Sequence, residues 1–339
     1  MLKISTHEED QMIPFGRFAE RIIATRSLPG RPAIEVDLPQ DCHPALREAL
    51  AQRGIERLYS HQAEMFSHAR AGKNVVITTG TASGKSLGFL MPVLQTVLED
   101  PAARALLLYP TKALAQDQLR SVLRLAEELR AGGESGRPIE TGVYDGDTPP
   151  SDRRRIRERA NLIMTNPDML HAGLLPAHGR QGYGHIFRNV RYIVIDEMHV
   201  YRGAFGAHFS NLMRRVQRIC KHYGSQPRFL CSSATIANPR ELAEALCQQP
   251  FQWVDKDGSP SSGKRVHFWM PPRMDNDMRR GVGSEMASLV PHLVEKRIKT
   301  IAFCRSRKET EVILKESRDR LARVDGGHDE SRLVGAYRG

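Results

Sequence analysis

From about residue 60 onward, short apolar runs alternate with longer amphipathic stretches. NVVITTG (74–80), RALLLYP (104–110), IETGVYDG (139–146), ANLIMTNP (160–167), RYIVIDE (191–197) and RFLCSSAT (228–235) have the make-up of buried strands. SGKSLGFLMPVLQTVLE and KALAQDQLRSVLRLAEELR lie between them and predict helices. Buried-type strands separated by helices mean βαβ units. The expectation is an α/β fold, a parallel sheet with helices on both faces. In such sheets functional residues gather where strands end and loops begin.

The flanks have a different rhythm. Residues 1–55 carry Pro14, Pro29, Pro32, Pro39 and Pro44, and read as an arm wrapping the first domain and ending in the helix ALREALAQRGI (45–55). After the helix ELAEALC, the stretch VDKDGSPSSGKR (254–265) predicts a flexible surface loop. HFWMPPRMD then leads into helix EMASLVPHLVEKR, strand TIAFC, helix KETEVILKESRDRLAR and a last stretch, RLVGAYRG. The expected organisation is an arm (1–55), a main domain (56–253), a linker (254–275) and a partial second domain (276–339). That last segment is shorter than a complete α/β domain, usually roughly 100–150 residues.

Composition narrows the function classes. The 339 residues are 40% hydrophobic and 26% charged, enough apolar material for a soluble globular core. No run of about 18 apolar residues exists, which excludes a membrane-spanning helix. The start, MLKISTHEEDQM, is acidic and lacks an apolar stretch, so it does not read as a secretory signal, and the cytoplasm of a bacterium is the default location. Cys42, Cys220, Cys231, Cys247 and Cys304 form no CxxC pair, which argues against a zinc cluster and favours small buried hydrophobes. A net charge of +11 suits a polyanionic partner, although charge alone is weak evidence. The run RRRIRER (153–159) could bind phosphate, but a solvated helix face is the better reading.

The strongest chemical signal is TTGTASGKS (78–86), on the turn between strand NVVIT and a long helix. A phosphate-binding loop needs small residues so that backbone N–H groups can point at the phosphates. It also needs a lysine for the β- and γ-phosphates and a hydroxyl for Mg²⁺. Gly84, Lys85 and Ser86 supply the last three positions, while Thr79 stands where the first glycine belongs and Ala82 replaces another. The second signal is RYIVIDEMH, a buried strand ending in two carboxylates that need a compensating cation. Asp196 suits a magnesium ligand and Glu197 the base that activates the attacking water. Alone, such a pair could equally be a surface feature; coupled to the phosphate loop it reads as catalytic.

Phosphate loop, DEMH and SSAT occur in the order seen in superfamily 2 helicases, the DEAD/DEAH-box-like group with RecA-like domains, and the chain resembles them. LYSHQAEMF (58–66) resembles the Q motif, YPTKALAQDQ (109–118) motif Ia, YDGD (144–147) the turn after it and TNPDML (165–170) motif Ib. SSAT (232–235) resembles motif III and FCRSRKETE (303–311) motif IV. Together with DEMHVYRGAFGAH and GAYRG these look closest to the RecQ-like DNA-repair helicases of the MrfA type. The resemblance covers about residues 55–339.

It implies a RecA-like first domain, an incomplete second RecA-like domain, and ATP with Mg²⁺ as cofactors. Tyr59 and Gln62 would meet the nucleotide, Gln62 at the adenine edge. Thr81, Ala82, Ser83, Gly84, Lys85 and Ser86 would hold the phosphates, with Ser86 and Asp196 on the metal. Lys85, Asp196, Glu197 and His199 form the catalytic set, His199 communicating with motif III unless it is a structural histidine. Ser233 and Thr235 would couple nucleotide state to domain closure. Thr111, Lys112, Gly146, Thr165, Asn166 and, from the second domain, Arg305 would grip a nucleic-acid backbone, whose phosphate contacts carry no base information.

The expected function is therefore an ATP-dependent DNA helicase or translocase of DNA-repair type, moving 3′→5′ by analogy. DNA is favoured over RNA by the branch alone. No QxxGRxGR-like segment occurs in the chain, so the family's arginine finger is not supplied and weak activity is expected. A partner chain could complete the second domain. The alternatives are a non-catalytic fragment binding ATP and nucleic acid, and, less favoured, a small-molecule phosphate-loop kinase.

Overall fold

The computed structural model describes residues 15–80, 83–131, 139–180, 183–275, 277–323 and 330–336, without the side chains of Lys112, Ala113, Asp117, Arg130, Ala131 and Glu330. The first elements are β1 (Ile22–Leu28), β2 (Glu35–Asp37), α1 (Pro44–Gln52), β3 (Arg57–Tyr59), α2 (Ser60–Arg70) and β4 (Asn74–Thr78). Next come α3 (Lys85–Glu99), β5 (Arg104–Leu108), α4 (Lys112–Ala131), β6 (Thr141–Val143), α5 (Pro150–Arg159), β7 (Leu162–Thr165) and α6 (Pro167–Met169). Then follow α7 (Gly184–Asn189), β8 (Val190–Ile195), α8 (Gly203–His222), β9 (Arg228–Ser233), α9 (Pro239–Cys247) and β10 (Phe251–Val254). The last are β11 (Lys264–Trp269), α10 (Val282–Glu295) and α11 (Arg307–Leu321). Two compact units result: Pro32–Ser261, and Met1–Arg31 together with Ser262–Gly339.

The larger unit is a seven-stranded sheet in the order β10-β4-β9-β8-β5-β7-β6, every pair parallel. It is a RecA-like fold. Alternate side chains leave each strand on opposite faces. Val75, Ile77, Leu107, Val194 and Leu230 join one buried cluster with Leu46, Phe66, Phe89 and Val122 from α1, α2, α3 and α4. Val76, Leu106, Leu108, Ile193 and Ile195 join the other with Ile156, Phe209, Val216 and Leu246 from α5, α8 and α9. Both faces are covered, so the strands are apolar throughout, as in NVVIT. Several helices start on sequence signals. Proline occupies the first turn of α1, α5 and α9, where its missing N–H costs nothing. His43 caps α1 by accepting from Ala45 N–H at 3.2 Å.

The smaller unit pairs β1 with β11 antiparallel, from Ile22 opposite Trp269 to Leu28 opposite Lys264, and packs α10 on α11. Phe18 is buried under the Arg21 guanidinium, 4.5 Å from its ring centroid. Arg21 pairs with the buried Glu285, which also accepts from Trp269 Nε1 at 3.0 Å and lies 3.5 Å from Arg280. One carboxylate thus joins the N-terminal segment, β11 and α10. Glu285→Ala leaves the Arg21 guanidinium and the Trp269 indole N–H without this acceptor, while Arg280 keeps its bond to Ser288. It is expected to lower the unfolding free energy by about 3 kcal/mol. Urea unfolding followed by Trp269 emission in a Trp253→Phe background measures it.

Three sequence expectations change here. Residues 15–31 fall in the smaller unit, where β1 pairs with β11, while β2 pairs with β3 in the larger unit. VDKDGSPSSGKR is not a free loop: Gly258 and Ser259 are buried, Ile34 N–H donates to Gly258 O at 2.8 Å, and the segment runs into β11. Backbone hydrogen bonds, which composition does not reveal, fix it. TIAFC forms no strand, and Ile301 and Phe303 are 76% and 87% exposed. Among the described residues it has no parallel neighbour, and a strand without a partner forgoes the ladder that defines it.

Candidate active site

Three neighbouring strands assemble the site. β9 lies between β4 and β8, with Thr78 level with Ser233 and Ile195 level with Cys231. The phosphate loop after β4, the SSAT segment ending β9 and the DEMH segment after β8 therefore emerge side by side at the carboxyl edge of the sheet.

Gly84 caps α3 with φ of 79°, and a Cβ there would come within 2.5 Å of Gln62 Nε2. The positive φ favours glycine, and any side chain there would also displace the Gln62 amide. Lys85, the first residue of α3, donates to Thr79 O at 2.9 Å and Gly80 O at 3.1 Å. Ser83 is buried with its hydroxyl 2.5 Å from that of Thr79, and Ser86 follows in the first turn of α3. Thr81 and Ala82 lie outside the described residues. Gln62 bridges: its Oε1 accepts from Tyr59 N–H and its Nε2 donates to Gly84 O, each at 3.0 Å. The Tyr59 ring stacks on His61, centroids 5.8 Å apart.

Asp196 is 8% exposed and accepts from Glu197 N–H at 3.0 Å and from the Ser232 hydroxyl. Burial pushes its carboxyl above the usual range and the Glu197 charge adds to this, against the opposing pull of Ser232 and Lys85. A buried carboxylate that feels the Lys85 charge, with a serine hydroxyl following that lysine in sequence, has the chemistry of a magnesium donor set. Asp196 and Ser86 fit that role. Its charge also lifts the deeply buried Tyr109 phenol, already raised by desolvation.

Glu197 has φ of 51°, left-handed backbone that costs a non-glycine residue about 1–3 kcal/mol and clusters at functional sites. That turn holds its carboxylate 3.2 Å from His199 Nδ1. The same nitrogen lies 3.2 Å from Ala234 N–H of the SSAT segment. When neutral at Nδ1 it accepts from Ala234; when protonated there it donates to Glu197. One histidine thus faces both motifs.

The sequence reading placed coupling on Ser233 and Thr235, but Ser232 is the hydroxyl on Asp196. Ser233 is fully buried and donates to Ala234 O at 2.8 Å, and Thr235 is exposed. Alternation along β9 distinguishes Ser232 from Ser233, because adjacent residues face opposite ways. Two further residues were missed, His61 and Asp257, both of which touch the phosphate loop.

The expected nucleic-acid residues fall at the carboxyl ends of β5, β6 and β7. Thr111 accepts from Leu114 N–H at 3.3 Å at the start of α4, Gly146 O accepts from Arg153 at 3.1 Å, and Asn166 caps α6. The Lys112 side chain lies outside the described residues. Thr165 does not present its hydroxyl: it is 1% exposed and donates to Tyr144 O at 2.6 Å. Arg305 belongs to the smaller unit, exposed, its N–H donating to Glu309 at 2.9 Å.

Comparison with known proteins identifies the family. The DEAD/DEAH box helicase family model matches residues 59–243. The Bacillus subtilis protein named uncharacterized ATP-dependent helicase YprA is 39% identical over 322 residues, which cover 94% of this chain and 41% of that protein. ATP-dependent helicase hrq1 of Schizosaccharomyces pombe is 37% identical over 321 residues, 92% of this chain and 30% of that one. The chain thus spans about two fifths or less of the length of these relatives. The crystal structure of DUF1998 helicase MrfA bound to DNA and AMPPNP superposes with a TM-score of 0.83 at 41% identity, covering 88% of this chain and 41% of that one. A family match running from the Q motif into α9, across more than half of the sequence, means that the chain belongs to the DEAD/DEAH box helicases, and these relatives support a MrfA-type member of superfamily 2.

Proposed function

We propose that the chain carries the ATP-binding half of an ATP-dependent DNA helicase or translocase of DNA-repair type, moving 3′→5′. The observation that carries this reading is the contiguity of β4, β9 and β8, which brings Lys85, Asp196, Glu197 and His199 to one edge of the sheet. MrfA, seen with DNA and AMPPNP, supports DNA as the polymer.

In this reading the Lys85 ammonium leaves the Thr79 and Gly80 carbonyls for the β- and γ-phosphates. Bound Mg²⁺ would neutralise developing phosphate charge, held by Asp196 and the Ser86 hydroxyl. Glu197 orients and deprotonates the attacking water. His199 reads the outcome, exchanging Glu197 for Ala234 and so passing nucleotide state to the SSAT segment. Thr111, Lys112, Gly146 and Asn166 hold the backbone of single-stranded DNA. Residues 276–339 begin the second RecA-like domain, with Arg305 on its nucleic-acid face. Only different affinities of nucleotide for open and closed domains can drive such a cycle. With no arginine finger of its own, the 339-residue chain alone is expected to turn over slowly, a finger being worth about 10³–10⁵ in rate.

Steady-state ATP hydrolysis with and without single-stranded DNA tests the reading. DNA-stimulated turnover above a Glu197→Gln blank supports a complete catalytic site. Turnover at the blank with AMP-PNP still bound supports a half-site that needs the rest of the enzyme. No binding of AMP-PNP would sink it. Lys85→Ala is expected to weaken AMP-PNP binding about 10–100-fold, the worth of a charge-assisted contact, measured by calorimetric titration.

A further inference from the structure

Beyond the motifs, one segment grips the phosphate loop from outside. It follows β10, the edge strand paired with β4, and is the stretch whose composition reads as a flexible loop. Asp257 Oδ2 accepts from Gly80 N–H at 3.1 Å. Its other oxygen accepts from Ser259 N–H at 2.9 Å and from the Ser259 hydroxyl at 2.6 Å, so the carboxylate is aimed by its own turn. Gly258 N–H donates to Nδ1 of His61 at 3.1 Å. His61 is fully buried in α2, and its Nε2 lies 3.0 Å from Ser83 O. With Nδ1 accepting, Nε2 carries the proton and donates to Ser83.

The turn is itself locked in place. Gly258 O accepts from Ile34 N–H at 2.8 Å, and Ile34 O accepts from Ser60 N–H at 2.8 Å. A Cβ on Gly258 would stand 2.3 Å from Ser60 Oγ and 2.9 Å from Ile34 O. The chain therefore passes where only glycine fits, and it delivers Asp257 and the Gly258 N–H to fixed positions. Gly80 opens the phosphate loop, and Ser83 stands just before Gly84 and Lys85. Both ends are held from outside, at a loop where Thr79 and Ala82 replace the usual glycines.

We propose that the Asp257–Gly258 turn and His61 form a clasp that positions the phosphate loop for a nucleoside triphosphate. Asp257 holds Gly80 directly, and Gly258 holds Ser83 through the His61 ring. These are positioning residues that do not touch the nucleotide. The clasp works by hydrogen bonding at fixed points, which spares the ligand the cost of ordering the loop. The inference rests on the reading of this loop as an ATP site. It adds to that site a residue 177 positions from Gly80 in sequence.

The experiment is calorimetric titration of the 339-residue chain with Mg²⁺–AMP-PNP, comparing the unmodified chain, Asp257→Ala, Asp257→Asn and Lys85→Ala. Thermal unfolding of each is recorded without nucleotide. Asp257→Ala should weaken binding about tenfold or more, the loss of a charged hydrogen-bond acceptor. Asp257→Asn keeps an amide oxygen for Gly80 N–H but turns its NH2 toward Ser259 N–H, so it should bind more weakly than the unmodified chain and more tightly than Asp257→Ala. If both variants bind more tightly, the carboxylate repels the triphosphate rather than positioning its loop, and the proposal is overturned. Unchanged binding in Asp257→Ala overturns it too. So does an unfolded Asp257→Ala beside a normal Asp257→Asn, since the turn would then support the whole sheet. Failure of the unmodified chain to bind would instead count against the ATP site itself. Binding that only Lys85→Ala abolishes leaves that site standing and removes the clasp.

Discussion

Glu197→Gln is expected to cut ATP turnover about 10²–10⁴-fold while leaving AMP-PNP binding intact, the usual worth of a positioned general base. Two structural facts single this residue out. Its backbone sits in the left-handed region, an expense that aims the side chain away from the buried course of β8. Its carboxylate faces His199 at 3.2 Å and is partly open to solvent, where a water can reach it. Glutamine has the same length and can still meet His199, but it cannot take a proton. The measurement is turnover under ATP saturation with DNA present, beside AMP-PNP affinity. Turnover within threefold of the unmodified enzyme would place the base elsewhere.

Asp196→Asn should produce two effects of opposite sign. Asparagine still accepts from Glu197 N–H and the Ser232 hydroxyl, so the local hydrogen bonds survive. It cannot offer a charged oxygen to Mg²⁺, and turnover is expected to fall about 10³-fold, the several kcal/mol a metal contributes. Stability should move the other way. The folded-state pKa of Asp196 is raised, so the folded chain holds this proton more tightly than the unfolded one. Between the ordinary aspartate pKa and the raised one, stability from this group falls as pH rises, and above the raised one the penalty is fully present. Asparagine removes it, and the midpoint of thermal unfolding at pH 7 without Mg²⁺ should rise by a few degrees, with a smaller gain near pH 4. A lower midpoint at pH 7 would show that the carboxylate is structurally favourable and not held against its own desolvation.

Which features could be read before folding follows from where their information resides. NVVIT, RALLL and RYIVI are legible because burial on both faces demands unbroken apolar runs. TTGTASGKS and DEMH are legible because phosphate and metal chemistry fix residue types at fixed spacing. The choice between Ser232 and Ser233 depends on strand phase, which a run of similar residues does not show. Thr165 has the right chemistry at a strand end, yet its hydroxyl is consumed by Tyr144 O in the neighbouring segment. Asp257 was hidden by composition. A glycine- and serine-rich stretch is pliable when free, and the bonds that fix it come from Gly80, His61 and Ile34, distant in sequence. TIAFC shows the converse: an apolar run has strand character, but becomes a strand only beside a partner.

The strand order also sets a schedule for biosynthesis. β5, β6, β7 and β8 find one another within a short span of chain, whereas β4 lies between β9 and β10. Its nearer partner in sequence, β9, is about 150 residues away. At the usual 5–20 residues per second, β4 leaves the ribosome roughly 8–30 s before β9 has been made. For that interval NVVIT is an apolar run without either of its partners, the kind that invites chaperones or foreign edges. The ATP pocket is accordingly among the last features of its unit to close.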